Sequence, residues 1–299
     1  MQIFRNVFVN PVEQRLRSGW RVLMQFILLL LLTSVLASLF LGLVSLSPEL
    51  GLLSDFTFVG FVGTTLSIII ARRWLDHKSM RSLGLDLDSE VAKDVFSGIV
   101  IAGIVMAVIF FAEWALGWLD FQGFAQTTNN LDLFMGLGYW ALAFLLVGFY
   151  EELFSRGYML QNLAEGMGAA WAVFISSAIF GLLHLGNPGA SWASTLGILG
   201  AGYFLAYGYL RTKQLWLSIG LHIGWNFFEG PIFGFPVSGL ETVRLIDHQV
   251  TGPVFLTGGE FGPEAGLIVF PGMLLGALLI RLYTRGARES KPKINEKRP

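Results

Sequence analysis

The sequence contains no cysteine, which excludes disulfides, a thiolate nucleophile and Cys-ligated zinc, and leaves the redox compartment open. Charge is also scarce. Only 14% of the 299 residues are charged while 54% are hydrophobic, too little charge for a soluble surface, so the chain falls in the membrane class. A formal net charge of −1 argues against nucleic acid as a main partner, because phosphate recognition needs a clustered basic surface. No internal repeat is visible. No small-residue cleavage pattern follows the first apolar run, residues 22–46, and that run is too long for a signal-peptide core; it reads as a retained span.

What is abundant is uninterrupted apolar sequence. Runs of about 20 residues, the length needed to cross ~30 Å of hydrocarbon as helix, fall at 22–46, 52–71, 96–118, 133–150, 169–186, 191–210, 214–228 and 265–283. They predict an all-α polytopic membrane protein with about eight transmembrane helices, organised as a single integral membrane domain over residues 1–285. Arg72, Arg73, Lys78 and Arg81 follow the second run, Arg211 and Lys213 the sixth, and seven Lys or Arg follow Ile280, whereas the opposite loops at 47–51, 120–130 and 185–190 carry none. The positive-inside rule then places both termini in the cytoplasm. Residues 1–20 mix Phe4, Val7, Phe8 and Val9 with Arg5, Arg15 and Arg17 and read as an interfacial helix. Residues 286–299 read as a basic disordered tail. The Gly- and Pro-rich stretch between Glu229 and Glu264 is too broken to span; its Glu260 and Glu264 would repel phosphate, so it reads as an ordered external loop and not as a nucleotide loop.

Against this background the polar residues inside the runs need explaining. Glu151 and Glu152 stand side by side at the end of LFMGLGYWALAFLLVGFY, where an ionised side chain costs roughly 2.5–3.5 kcal/mol on insertion scales. Residues four apart share a helix face, which pairs Glu152 with Arg156, Phe180 with His184 and His222 with Asn226. Arg156 offsets the burial of Glu152 through a charge-assisted pair. Glu151 lies about 100° further round the helix and looks to neighbouring helices, where His184 and His222 are available. A carboxylate beside a neutral imidazole in a wet, membrane-embedded cavity can deprotonate water, which is general-base catalysis. Each pair alone has a structural explanation, a salt-bridged helix end or an interhelical hydrogen bond. Three such sets on separate spans point to a functional site.

In order, these motifs resemble EExxxR, FxxxH and HxxxN of the CAAX protease and bacteriocin-processing (CPBP, or Abi) family, which includes the type II CAAX prenyl endopeptidases. They stand here as EELFSR (151–156), FGLLH (180–184) and HIGWN (222–226), within a family core of about residues 144–228. The resemblance implies an intramembrane endopeptidase in which Glu151 and His184 activate water, His222 and Asn226 stabilise the oxyanion, and Glu152 and Arg156 support them. Two histidines and a carboxylate could also bind zinc with one position left for water, but HExxH is absent; no metal is assigned, and the expectation is that none is obligatory. The implied partners are the lipid bilayer and a peptide or protein substrate, with prenylation an open question; the implied location is a bacterial cell membrane.

Two other readings compete. NPGASWAS sets Ser191 near a helix start, where His222 would be its base in a serine intramembrane protease, although GASW lacks the second glycine of GxSG and that reading leaves both glutamates unexplained. A non-catalytic membrane immunity or scaffold protein would keep the polar cluster for packing alone, and a proton transporter would use it as a relay.

Overall fold

The computed structural model describes residues 7–46, 56–125 and 130–285. Among these residues eight helices of twelve residues or more lie where the apolar runs do. They are α1 (Ser18–Leu46), α2 (Phe56–Ala71), α3 (Val91–Ala115), α4 (Asn130–Glu152), α6 (Ala169–Leu183), α7 (Trp192–Thr212), α8 (Trp216–Phe227) and α10 (Val269–Thr284), with the shorter α5 (Leu160–Met167) and α9 (Val254–Thr257) among them. The protein is thus an all-α polytopic integral membrane protein. Among the described residues five segments are long and apolar enough to cross a bilayer, including one continuous rod from Leu131 to Met167. The twelve residues of α8 span only about 18 Å at 1.5 Å per residue. This helix does not face lipid along its length; it packs against α3, α4 and α7, which is why its motif residues are buried.

Close packing around α8 follows from small residues. A Cβ at Gly220 would lie 2.2 Å from the carbonyl oxygen of Val95, and one at Gly98 would lie 2.5 Å from the Leu221 nitrogen. The α3 and α8 backbones therefore touch directly, the small-residue contact by which membrane helices associate without a hydrophobic driving force. Ile101, Val105 and Ile109 of α3, Leu217, Leu221 and Trp225 of α8, and Phe204 of α7 form the larger core.

Three helical rods continue into π-helical segments, at Arg72–Asp76, Leu153–Met159 and Phe228–Ile232. Such wide turns are rare and concentrate at functional sites. Two of the three directly follow the glutamate pair and the His222–Asn226 helix.

The structure corrects the sequence reading at the amino end. Residues 9–16 form a small hairpin, β1 (Val9–Asn10) against β2 (Arg15–Leu16), and no interfacial helix runs through them. Asn10 and Pro11 explain the difference: the Asn10 side chain accepts from the Val12 backbone N–H at 3.0 Å, a local turn that competes with helix. The expected external loops also contain strands, since β3 (Leu119–Phe124) pairs antiparallel with β4 (Ile246–Val250) and ties the α3–α4 connection to the segment before α10. The expected tail at 286–299 lies outside the described residues, as does the start of the expected interfacial helix.

Candidate functional site

The α4 rod delivers Glu151 and Glu152 in its last turn, and the π segment after it delivers Arg156. Glu152 is fully buried, and its Oε1 is the hub, accepting from Arg156 Nη1 at 2.8 Å and from His222 Nδ1 at 2.9 Å. Arg156 spends its remaining capacity on the Gly202 carbonyl of α7, at 3.2 Å, and its guanidinium lies 4.4 Å from the centroid of the Phe180 ring, whose negative face favours a cation. The fixed planar fork of arginine is what allows one buried cation to serve all three partners.

This arrangement differs in one respect from the sequence expectation. Glu152, not Glu151, makes the direct imidazole contact, while Glu151 Oε2 stands 3.8 Å from the other nitrogen, His222 Nε2. That distance is too long for a direct hydrogen bond and within reach of a single bridging water. Glu151 is also the more accessible acid, at 21% side-chain exposure against none for Glu152. The oxygen that faces His222, Glu151 Oε2, is itself buried and has no hydrogen-bond partner, which leaves it a place for one.

His184 caps α6, and its Nδ1 lies 2.8 Å from the Phe180 carbonyl oxygen. A carbonyl can only accept, so Nδ1 is the donor in this bond. The same logic holds for His222, whose Nδ1 donates to Glu152. Both imidazoles therefore have Nδ1 engaged and Nε2 open. Phe180 touches both rings, with centroids 4.7 Å from His184 and 6.1 Å from His222. Asn226 is buried one turn beyond His222 on α8.

Among the described residues no three His, Asp or Glu side chains converge to hold a metal ion, and no step is derived through one. Ser191 is the N-cap of α7, in a reciprocal capping box with Ser194, a complete structural role for a serine before a helix.

Sequence reasoning missed two buried acids near the site. Glu229 is fully buried, with neither carboxyl oxygen hydrogen-bonded, and Glu264 accepts from Trp225 Nε1 at 3.0 Å and from Ser238 Oγ. Glu229 had a signal, because His222, Asn226 and Glu229 follow the i, i+4, i+7 spacing of one helix face. Glu264 had none, since it comes from the Gly- and Pro-rich stretch.

Two comparisons bear on this geometry, and no solved structure matches the chain. The chain is 28% identical over 169 residues to a Bacillus subtilis (strain 168) protein named "Putative membrane peptidase YdiL", an alignment covering 54% of this chain and 64% of that protein. Residues 133–228, which contain all three motifs, match the family model described as Type II CAAX prenyl endopeptidase Rce1-like. Together they support the resemblance to the CAAX protease and bacteriocin-processing family, carried by the segment that builds the glutamate–histidine cluster.

Proposed function

We propose that the protein is an intramembrane endopeptidase that hydrolyses a peptide bond with water activated by Glu151 and His184. The observation that carries this reading is the placement of Glu151 Oε2 3.8 Å from His222 Nε2, on the open side of a ring whose other nitrogen is held by Glu152. In this scheme Glu151 takes a proton from water as the oxygen attacks the scissile carbonyl, and His184 Nε2 accepts a hydrogen bond from the same water. His222 and Asn226 then donate to the oxyanion, a preorganised interaction worth about 2.7–4 kcal/mol per donor. For that task His222 needs a proton on Nε2 as well, so the doubly protonated ring is its working form. Glu151 returns its proton to the leaving amine, which closes the cycle. Glu152 and Arg156 act through His222 by fixing its ring plane.

The substrate is a peptide or protein reached from the bilayer, and a prenylated C-terminal segment is the form that the matched family's description suggests. The basic ends of α1 and α2, near Arg15, Arg21, Arg72 and Lys78, lie together at Glu165 and Asp76, which supports a cytoplasmic location for that face and for the termini, in a bacterial cell membrane. The test is a comparison of membrane proteomes carrying wild type and Glu151→Ala at equal abundance. A peptide bond cut only by wild type supports the reading and names the substrate. Identical proteomes with intact biological activity would favour the scaffold reading instead.

A further inference from the structure

Two of the acids in the stretch between Glu229 and α10 meet opposite fates. Glu260 is exposed, whereas Glu264 is 3% exposed and engaged at both oxygens. The segment carrying Glu264 is seated firmly on the helices. A Cβ at Gly197 of α7 would lie 1.6 Å from the Glu264 carbonyl oxygen, and Gly262, at φ +97°, leaves no room for one against the Pro236 carbonyl oxygen, at 2.1 Å. Only glycine permits that approach and that backbone turn. Phe261, between them, packs with Phe180 and Ile198.

The hydrogen bonds of Glu264 form part of a longer chain. Trp225, three residues after His222 on α8, donates to Glu264 Oε1 at 3.0 Å, and Ser238 Oγ donates to Oε2. The Ser238 carbonyl accepts from Asn187 Nδ2 at 3.0 Å, and the Asn187 backbone N–H donates to the His184 carbonyl at 3.1 Å. A continuous path therefore leads from the helix that carries His222 to the turn that carries His184. Phe180 also touches both rings, an apolar contact with no directional preference of its own. We infer that Glu264 is a positioning residue, its carboxylate joining the His222 helix to the His184 turn and so setting the separation of the two imidazoles. Only the kinetic part of the test rests on the peptidase reading.

The experiment uses full-length protein in lipid nanodiscs with ¹⁵N-labelled histidine. Four histidines, His77, His184, His222 and His248, give a spectrum that single substitutions assign. Glu264→Ala is expected to shift the His184 and His222 signals and leave those of His77 and His248 in place, with Glu260→Ala as the inert control and Glu264→Gln, whose amide oxygen still accepts from Trp225 while its NH2 donates to a Ser238 hydroxyl turned to accept, close to wild type. Folded Glu264→Ala with unmoved His184 and His222 signals overturns the inference, as does a uniform shift of all four. If Glu264→Ala does not fold, Ser238→Ala and Asn187→Ala cut the same path at other links and must move the same two signals. On a bond cut by wild type, kcat falls about 100-fold in Glu264→Ala, the scale of a ~1 Å misplacement, with KM within about twofold and recovery by Glu264→Gln; an unchanged kcat contradicts the inference. If no cut bond is found, the peptidase reading fails while the spectra still decide the positioning role.

Discussion

At the scale of single residues, the site rests on one buried carboxylate with two partners. Removing Arg156 leaves Glu152 buried and short of its cation, and losing one member of a buried pair typically costs about 3–5 kcal/mol. Arg156→Ala should therefore lower thermal stability in detergent by that order, and Arg156→Lys should recover only part of it, because a lysine cannot reach Glu152 Oε1 and the Gly202 carbonyl with one planar group. A second residue-level effect lies outside the site. His248, enclosed by Phe110 and Phe235, is pushed down to about 4 by burial, with Arg244 adding to the effect. Unfolded, it would titrate near 6.5. Between these values the unfolded chain binds the extra proton, so stability is present above about pH 6.5 and is lost as pH falls towards 4, by up to about 3 kcal/mol. His248→Phe should flatten that slope in unfolding curves recorded across pH 4–7.

At the scale of elements, close packing and helix geometry decide more than propensity does. Gly220→Ala would gain about 1 kcal/mol of intrinsic helix propensity, yet its methyl group would meet the Val95 carbonyl oxygen at 2.2 Å. Overpacking of this kind costs about 1–3 kcal/mol, and here backbone must move. The substitution is expected to destabilise the protein and to weaken the α3–α8 contact, read as a lower melting temperature. The π segment at Leu153–Met159 carries a similar expectation. Deleting Gly157 would let the segment wind as α-helix and so remove the wide turn that follows the glutamate pair. Activity should vanish, and substitution of Gly157 by Ala, which needs only a few tenths of an ångström from Leu215 Cδ1, should retain it.

These elements also show what the sequence could and could not disclose. The apolar runs located eight helices because hydrocarbon imposes a length that few other contexts require. The motif residues stood out because a charge inside such a run has no cheap explanation. The hairpin at Val9–Leu16 was hidden by an amphipathic composition, although Asn10-Pro11 signalled its turn. The pairing of β3 with β4 joins residues more than a hundred positions apart, and no local pattern specifies such a partner. For the same reason the sequence left Glu151 with two candidate imidazoles, His184 and His222, since an i, i+4 rule sees partners on one helix and cannot say which of two adjacent glutamates faces an imidazole on another. The π turns were invisible, because nothing in LFSRGYM marks a change of winding.

At the scale of the whole molecule, charge that is rare elsewhere is concentrated at one end. Asp76 Oδ1 accepts from Arg21 at 2.6 Å and Oδ2 from Arg72 at 2.8 Å, while Glu165 binds Arg15, Arg21 and Lys78. These bonds tie the β1–β2 hairpin and the start of α1 to the ends of α2 and α5, far along the rod from Glu151. Asp76→Asn would leave two buried guanidiniums short of charge and should destabilise the assembly by several kcal/mol without touching the site. Unfolding curves should move while the kcat of the folded fraction stays.

The central claim, that Glu151 and the open face of His222 define a hydrolytic centre, is tested most directly by kcat for a bond cut by wild type, measured with purified protein in nanodiscs for Glu151→Gln beside Ser191→Ala. Glu151→Gln is expected to lose about 10²–10⁴-fold, the usual worth of a general base, with Ser191→Ala close to wild type. A Glu151→Gln enzyme that keeps its rate, or a Ser191→Ala enzyme that loses it, would contradict the account.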